Sequence, residues 1–235
     1  MSTNLELCKK FRKLVGISGT GPSSVLNQSG MNEKITIWVA DADEWILRKW
    51  EDWTFMLEPK EIITATSGTS TFTLAALSIT DHARWRRNSF IRDPGTSSKL
   101  NLEQILDYEE YLKSEEYAGE AQTGDIEKVI VRPTDDALIF YPTPTADTTI
   151  WAAYYKKVTR MVTDAVESPI PARFESTILN RAKMFYSEFL EDAALYASAE
   201  KDFNRDMLRL ESKHAPSFDG IYMSNNDVDE DIRVE

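Results

Sequence analysis

Residues 16–23 read GISGTGPS, and the structure this loop belongs to decides the fold. Gly16, four residues, Gly21 and Ser23 match a phosphate-binding loop except that Pro22 stands where the lysine belongs. Such a loop follows a buried strand, opens a helix, cradles the anion with backbone N–H groups and reaches the β- and γ-phosphates with that lysine. Pro22 has neither the charge nor the N–H. Ahead of the loop, Leu5, Leu7, Cys8, Phe11, Leu14 and Val15 recur at helical spacing, so a helix precedes it instead of a strand. No alternation of strands and helices follows, which argues against a doubly wound nucleotide fold. The segment through Gly30 therefore reads as a connection between two helices. A serine-hydrolase elbow fails on the same stretch: Gly16, Ile17 and Ser18 begin that pattern, but Thr20 occupies the place of its second glycine.

Downstream, at about 100° per residue, Ile35, Trp38, Val39, Ala42, Trp45, Ile46, Trp50 and Trp53 fall in one wide arc. Asp41, Glu44, Arg48 and Glu51 take the opposite side, so the spacing predicts a helix wedged between two neighbours. After Pro59 the texture changes. EIITATSGTSTFTL (61–74) is rich in β-branched residues, and Ser67–Gly68 predicts a turn between two strands of a hairpin. A second hairpin is predicted over 128–142, where VIVRP and LIFYP flank residues 134–137, and TTIWAAYYKK (148–157) reads as a third extended run. Between these lie DHARWRRNSFIR (81–92) and NLEQILDYEEYLKSEEY (101–117), which read as short helices or irregular segments.

Helical periodicity returns in SPIPARFESTILNRAKMFYSEFL (168–190), with Pro171 in its first turn and Phe174, Ile178, Ala182, Phe185 and Phe189 as the apolar stripe. Asp192 is placed to cap a second helix, whose face carries Ala193, Tyr196, Phe203, Met207 and Leu210. The predicted fold class is α+β. Residues 1–54 and 168–215 form a helical bundle closed by an αα-hairpin, and 55–167 insert an antiparallel β module with short helices. Residues 216–235 form an acidic tail too poor in apolar side chains to order itself.

Composition narrows function. The 235 residues, 42% hydrophobic and 11% aromatic, suffice for a substantial core. Thirty-nine acidic against 27 basic side chains leave a formal charge of −12, which removes any sequence-wide basis for gripping nucleic acid. The single cysteine, Cys8, cannot form an internal disulfide and reads as a small buried apolar side chain. No stretch reaches the length of a membrane span and no signal-peptide core is present, so the expectation is a soluble, non-secreted protein.

The search for chemistry is negative. His82 and His214 lack companions at metal-ligand spacing and read as surface or capping residues. Glu188, Glu191 and Asp192 sit at a helix junction and read as solvated carboxylates. No nucleophile motif or cofactor signature appears, so no enzymatic activity, cofactor or metal is expected. The one basic cluster is His82, Arg84, Arg86, Arg87 and Arg92, interleaved with Trp85 and Phe90. Guanidinium groups beside aromatics suit a partner that offers carboxylates or phosphates. In an assembly of identical copies, they are placed to meet the acidic stretch 103–127 of a neighbour, with Asp107, Glu109, Glu110, Glu115 and Glu116. Asp227 and Asp229 in the tail are further candidate partner contacts.

The order of features resembles the head-to-tail connector adaptor proteins of tailed bacteriophages. The likeness runs from about Leu5 to Pro216. It covers GISGTGPSSVLNQSG, the tryptophan-rich helix ending WEDWTF, the β section, LIFYPTPTADTTIWAAYYKK, SPIPARF and the hairpin EDAALYASAEKDFNRDMLRLESKHAP. What the resemblance implies is a structural virion protein at the head-to-tail interface, assembled in the host bacterial cytoplasm. It would form a ring, commonly of about twelve copies, between the portal protein and a tail nozzle or tail-tube protein. DNA would pass through the channel without sequence-specific binding. A nozzle or tail-tube subunit of the same virion, or a DNA-binding module, are the alternatives.

Overall fold

A computed structural model describes residues 2–19, 21–50, 52–93, 99–105, 108–113 and 122–215. The tail 216–235 lies outside them. The helices are α1 (Asn4–Leu14), α2 (Gly30–Lys49), α3 (Tyr108–Lys113), α4 (Glu175–Phe189) and α5 (Ala193–His214). The fold is α+β, with strands between the amino-terminal and carboxy-terminal helices.

α1 starts in a capping box: Glu6 donates its N–H to Thr3 Oγ1 at 3.3 Å, and Thr3 donates its own to Glu6 Oε2 at 3.0 Å. Leu7, Cys8 and Phe11 face inward, while Leu14 is exposed. α2 packs between α1 and α4, as the breadth of its apolar arc predicts. Its buried face is rotated from the predicted one, however. Ile35, Val39, Ala42 and Ile46 are fully buried, but so are Asp43 and Leu47, while Trp38 lies half-buried and Trp45 is exposed. Trp50 and Trp53 fall beyond the helix, and the buried Trp53 indole donates to the Ile46 carbonyl at 3.1 Å.

The αα-hairpin forms as predicted. Asp192 accepts the Leu195 N–H at 2.9 Å and caps α5, and Glu191 turns the chain at φ 56°. Phe174 just before α4, and Ile178 and Ala182 on it, are buried, whereas Phe189 at the end of the expected stripe is exposed. On α5, Phe203, Met207 and Leu210 are buried, and Ala199 takes the inward place expected of the exposed Ala193.

Strands β1 (Leu57–Ala65), β3 (His82–Trp85), β4 (Ile91–Asp93), β5 (Leu100–Asn101) and β11 (Thr148–Lys156) make one sheet. β11 is its centre: β1 pairs along one side, and β3 and β4 share the other, with Trp85 opposite Tyr154 and Ile91 opposite Trp151. A second sheet runs β2 (Thr71–Phe72), β9 (Leu138–Tyr141), β8 (Lys128–Val131) and β6 (Glu103–Ile105). Most pairs are antiparallel; β6 with β8, and β10 (Thr143–Pro144) with β7 (Thr123–Gly124), are parallel.

Two expectations are corrected. The 128–142 hairpin is present, but residues 61–74 do not form one: β1 joins β11 and β2 joins β9. The turn at Ser67–Gly68 is anchored elsewhere, with the Ser67 N–H on Asp147 Oδ1 at 2.9 Å and the Gly68 N–H on the Pro144 carbonyl at 2.8 Å. These bonds send the chain from one sheet to the other. Second, 81–92 is not helical: it contains β3 and most of β4 joined by the irregular turn 86–90, and its strand charges at Arg84 and Arg92 are neutralised by tertiary partners.

Two apolar clusters result. One lies among the helices around Phe11, Val39, Trp53, Ile178 and Phe203. The other lies between the sheets around Trp85, Phe90, Val129, Phe140 and Ile150. Side chains alternate across a strand, so consecutive β11 residues serve both: Tyr154 enters the sheet cluster and Tyr155 packs on the helical one.

Candidate partner interface

The opening loop is filled by the protein's own cation. Arg12, on α1, donates through Nη2 to the Ser18 carbonyl and through Nη1 to Asn32 Oδ1 at 2.6 Å. A carbonyl facing a guanidinium is the reverse of an anion cradle, which needs inward N–H groups. At Gly19, where φ is +101°, an added Cβ would lie 2.6 Å from that guanidinium. The far end of the loop is clamped by Asp164 Oδ1, which accepts the Val25 N–H at 2.5 Å and the Ser24 hydroxyl at 3.1 Å. The loop connects α1 to α2, as its sequence predicts.

The histidines serve structure. His82, read from sequence as a surface or capping residue, instead has a side chain only 2% exposed, packed against Trp85 and Tyr154. Burial lowers its pKa despite Asp136 and Asp81 nearby. His214 does pin an element end: Nδ1 meets Thr54 Oγ1 at 2.8 Å and Nε2 meets Arg173 at 2.9 Å, with Phe55 and Phe174 against the ring. Burial and the Arg173 charge lower its pKa. Cys8 is buried and its thiol is pushed up to about 12, mainly by burial, so it carries no thiolate near neutral pH. Among the described residues no group of three or more His, Cys, Asp or Glu could hold a metal ion.

The basic cluster divides into two kinds of arginine. Arg84, on β3, pairs with Asp52 and lies over the Tyr155 ring at 5.1 Å, tying the first sheet to the segment after α2. Arg92, on β4, is 8% exposed and pairs with Asp125 at 3.3 Å. That carboxylate belongs to the acidic stretch expected to serve a neighbour, and here it neutralises an arginine of its own chain. Arg86 and Arg87 differ. They lie exposed in the turn joining β3 to β4, and neither side chain has a partner among the described residues.

That turn is held on several sides. The Arg86 N–H donates to the Ala153 carbonyl at 2.9 Å, and Ser89 Oγ donates to the Arg86 carbonyl at 2.8 Å. Asn88, at φ 53°, donates its N–H to Gln104 Oε1 at 2.9 Å. Two adjacent guanidinium groups thus project from fixed backbone, a preorganised receptor for carboxylate or phosphate. The sequence could not separate these two arginines from Arg84 and Arg92, since the distinction depends on partners far along the chain. Of the acidic candidates, Glu109 pairs with Lys113 on α3 at 3.4 Å, and Glu110 lies on the same helix. Asp107, Glu115, Glu116, Asp227 and Asp229 lie outside the described residues.

Sequence reasoning missed Asp43. It is wholly buried on α2, with Oδ1 accepting the Ser168 hydroxyl at 2.5 Å and Oδ2 without a hydrogen-bond partner. Burial pushes its pKa up to about 7. Only its place on the helical period, between the apolar Ala42 and Ile46, signals this burial in the sequence. It holds the segment before α4 against α2.

Two concavities among the described residues are shallow. One, of about 180 Å³, lies between α2 and 160–162 and is lined by Val25, Ile37, Ala40 and Val162. The other, about 220 Å³, lies at the corner between α4 and α5. Neither is lined by Asp43 or His82. Comparison with known families matches residues 5–224 to the SU10 adaptor protein family. No curated protein matches the chain.

Proposed function

The chain belongs to the SU10 adaptor protein family, structural adaptors of the phage virion, and from that premise we propose that copies form a ring joining the capsid portal to the tail. The observation that carries this reading is the family match, which spans nearly the whole chain. The physical features support it. Arg84 and Arg92, two of the four arginines of the basic cluster, are paired internally, and the unpaired Arg86–Arg87 turn is the part of that cluster left for a partner. The net charge of −12 suits a channel that must release DNA, because phosphates meet repulsion in place of counterion-releasing cations. Neighbouring copies, the portal protein and a tail nozzle or tail-tube protein are the proposed partners. Among the described residues no helix is long and apolar enough to cross a membrane.

The test is to mix the purified chain with portal rings and image the product. A second tier on the portal is expected, and Arg86→Ala/Arg87→Ala should keep its circular dichroism while weakening docking by about tenfold. Portal rings that stay bare, with the chain instead decorating tail-tube particles, would overturn the reading in favour of a tail component.

A further inference from the structure

Where the carboxy-terminal segment emerges bears on the one unpaired guanidinium pair of the basic cluster. α5 ends at His214, whose Nδ1 lies 2.8 Å from Thr54 Oγ1. Thr54 is two residues from Asp52, which pairs with Arg84, and Arg84 is two residues along the chain from Arg86. A continuous path of contacts therefore links the root of the tail to the Arg86–Arg87 turn. The thirteen residues from Ala215 to Asp227 can extend about 40 Å, enough to retrace it.

The chemistry is complementary. Residues 227–231 read DVDED and place Asp227, Asp229, Glu230 and Asp231 within one short stretch. The turn offers two exposed guanidinium forks on fixed backbone, and no carboxylate among the described residues pairs with either. Tethering also raises the local concentration of an acidic segment at the turn into the millimolar range, so a weak contact suffices. We propose that in the free chain residues 227–231 dock on the Arg86–Arg87 turn of the same molecule, covering it until a partner displaces them. The contact is a property of the isolated protein and does not depend on the adaptor reading.

Zero-length carbodiimide coupling tests it on the full-length chain carrying Arg86→Lys and Arg87→Lys, which places an amine where each guanidinium stood. Peptide mapping of the monomer band should find amides from position 86 or 87 to the 227–231 carboxylates, at about tenfold the yield of amides from the exposed Lys9 and Lys13. About 0.5 M salt should remove the excess, because exposed pairs are screened. Asp227→Asn/Asp229→Asn/Glu230→Gln/Asp231→Asn should do the same. Equal yields at Lys9 and Lys13, coupling of 86 and 87 to other carboxylates, or the amides appearing only in a dimer band would each overturn the proposal.

Discussion

At Asp43 the helical core holds a fully buried carboxyl group whose one hydrogen-bond partner is the Ser168 hydroxyl. Its folded pKa, about 7, lies above the ordinary carboxylate value, so the folded state binds the proton more tightly than the unfolded chain does. The contribution to stability is therefore fully present below the unfolded pKa near 3.8 and is lost as pH rises toward 7. Its ceiling is about 4 kcal/mol, taken from the size of the shift. Asp43→Asn cannot titrate, so urea unfolding from pH 4 to pH 8 should show a shallower fall in stability for the variant than for the parent. Parallel pH profiles for the two would refute this account. The Asp43 pattern, a polar residue between apolar ones, was visible in sequence, but the arc centred on four tryptophans pointed elsewhere. Tryptophan weighs heavily in any hydrophobic count, yet its size means it is rarely buried completely.

Elements were legible where local chemistry alone forms them. The junction of α4 and α5 is such a place: Asp192 supplies the cap and the reversal follows within a few residues. Asp192→Ala removes the acceptor for the Leu195 N–H and should lower unfolding stability by about 1 kcal/mol, read as an earlier urea midpoint with an unchanged slope. No shift in midpoint would mean that the carboxylate does not serve as a cap. The strands behaved differently. β8 and β9 pair across a short turn, as the sequence predicts, but β1 and β2 have partners 66 to 98 positions away. A turn signal such as Ser67–Gly68 specifies that the chain bends, and leaves the destination to bonds with Pro144 and Asp147. β3 was hidden for a related reason: its arginine is tolerable in a strand because Asp52, distant in sequence, neutralises it.

In the molecule as a whole, two apolar clusters share one strand. Tyr154 and Tyr155 are adjacent on β11 and serve opposite clusters, so loosening either one strains the same strand. Phe11→Ala in the helical cluster and Phe140→Ala in the sheet cluster should each cost about 3–5 kcal/mol. Both should shift one common unfolding transition, seen together by far-ultraviolet circular dichroism and tryptophan fluorescence. Two separated transitions in either variant would show that the clusters unfold independently. The same wiring gives the Arg86–Arg87 turn its setting, since β11 carries the Ala153 carbonyl that holds the Arg86 N–H, and β3 continues into the turn.

The amino-acid sequence by itself determined the α+β class, the helix-to-helix nature of GISGTGPS, the αα-hairpin and the likeness to connector adaptors. Each of these rests on short-range pattern: periodicity, a missing lysine, a capping residue and the order of soft motifs along the chain. Tertiary structure alone decided which acid is buried, which sheet receives β1 and β2, and which two arginines stay open. Those outcomes depend on residues brought together from positions as distant as Asp43 and Ser168 or Arg84 and Asp52. Burial and charge pairing are properties of such contacts, and a residue's chemistry before folding does not contain them.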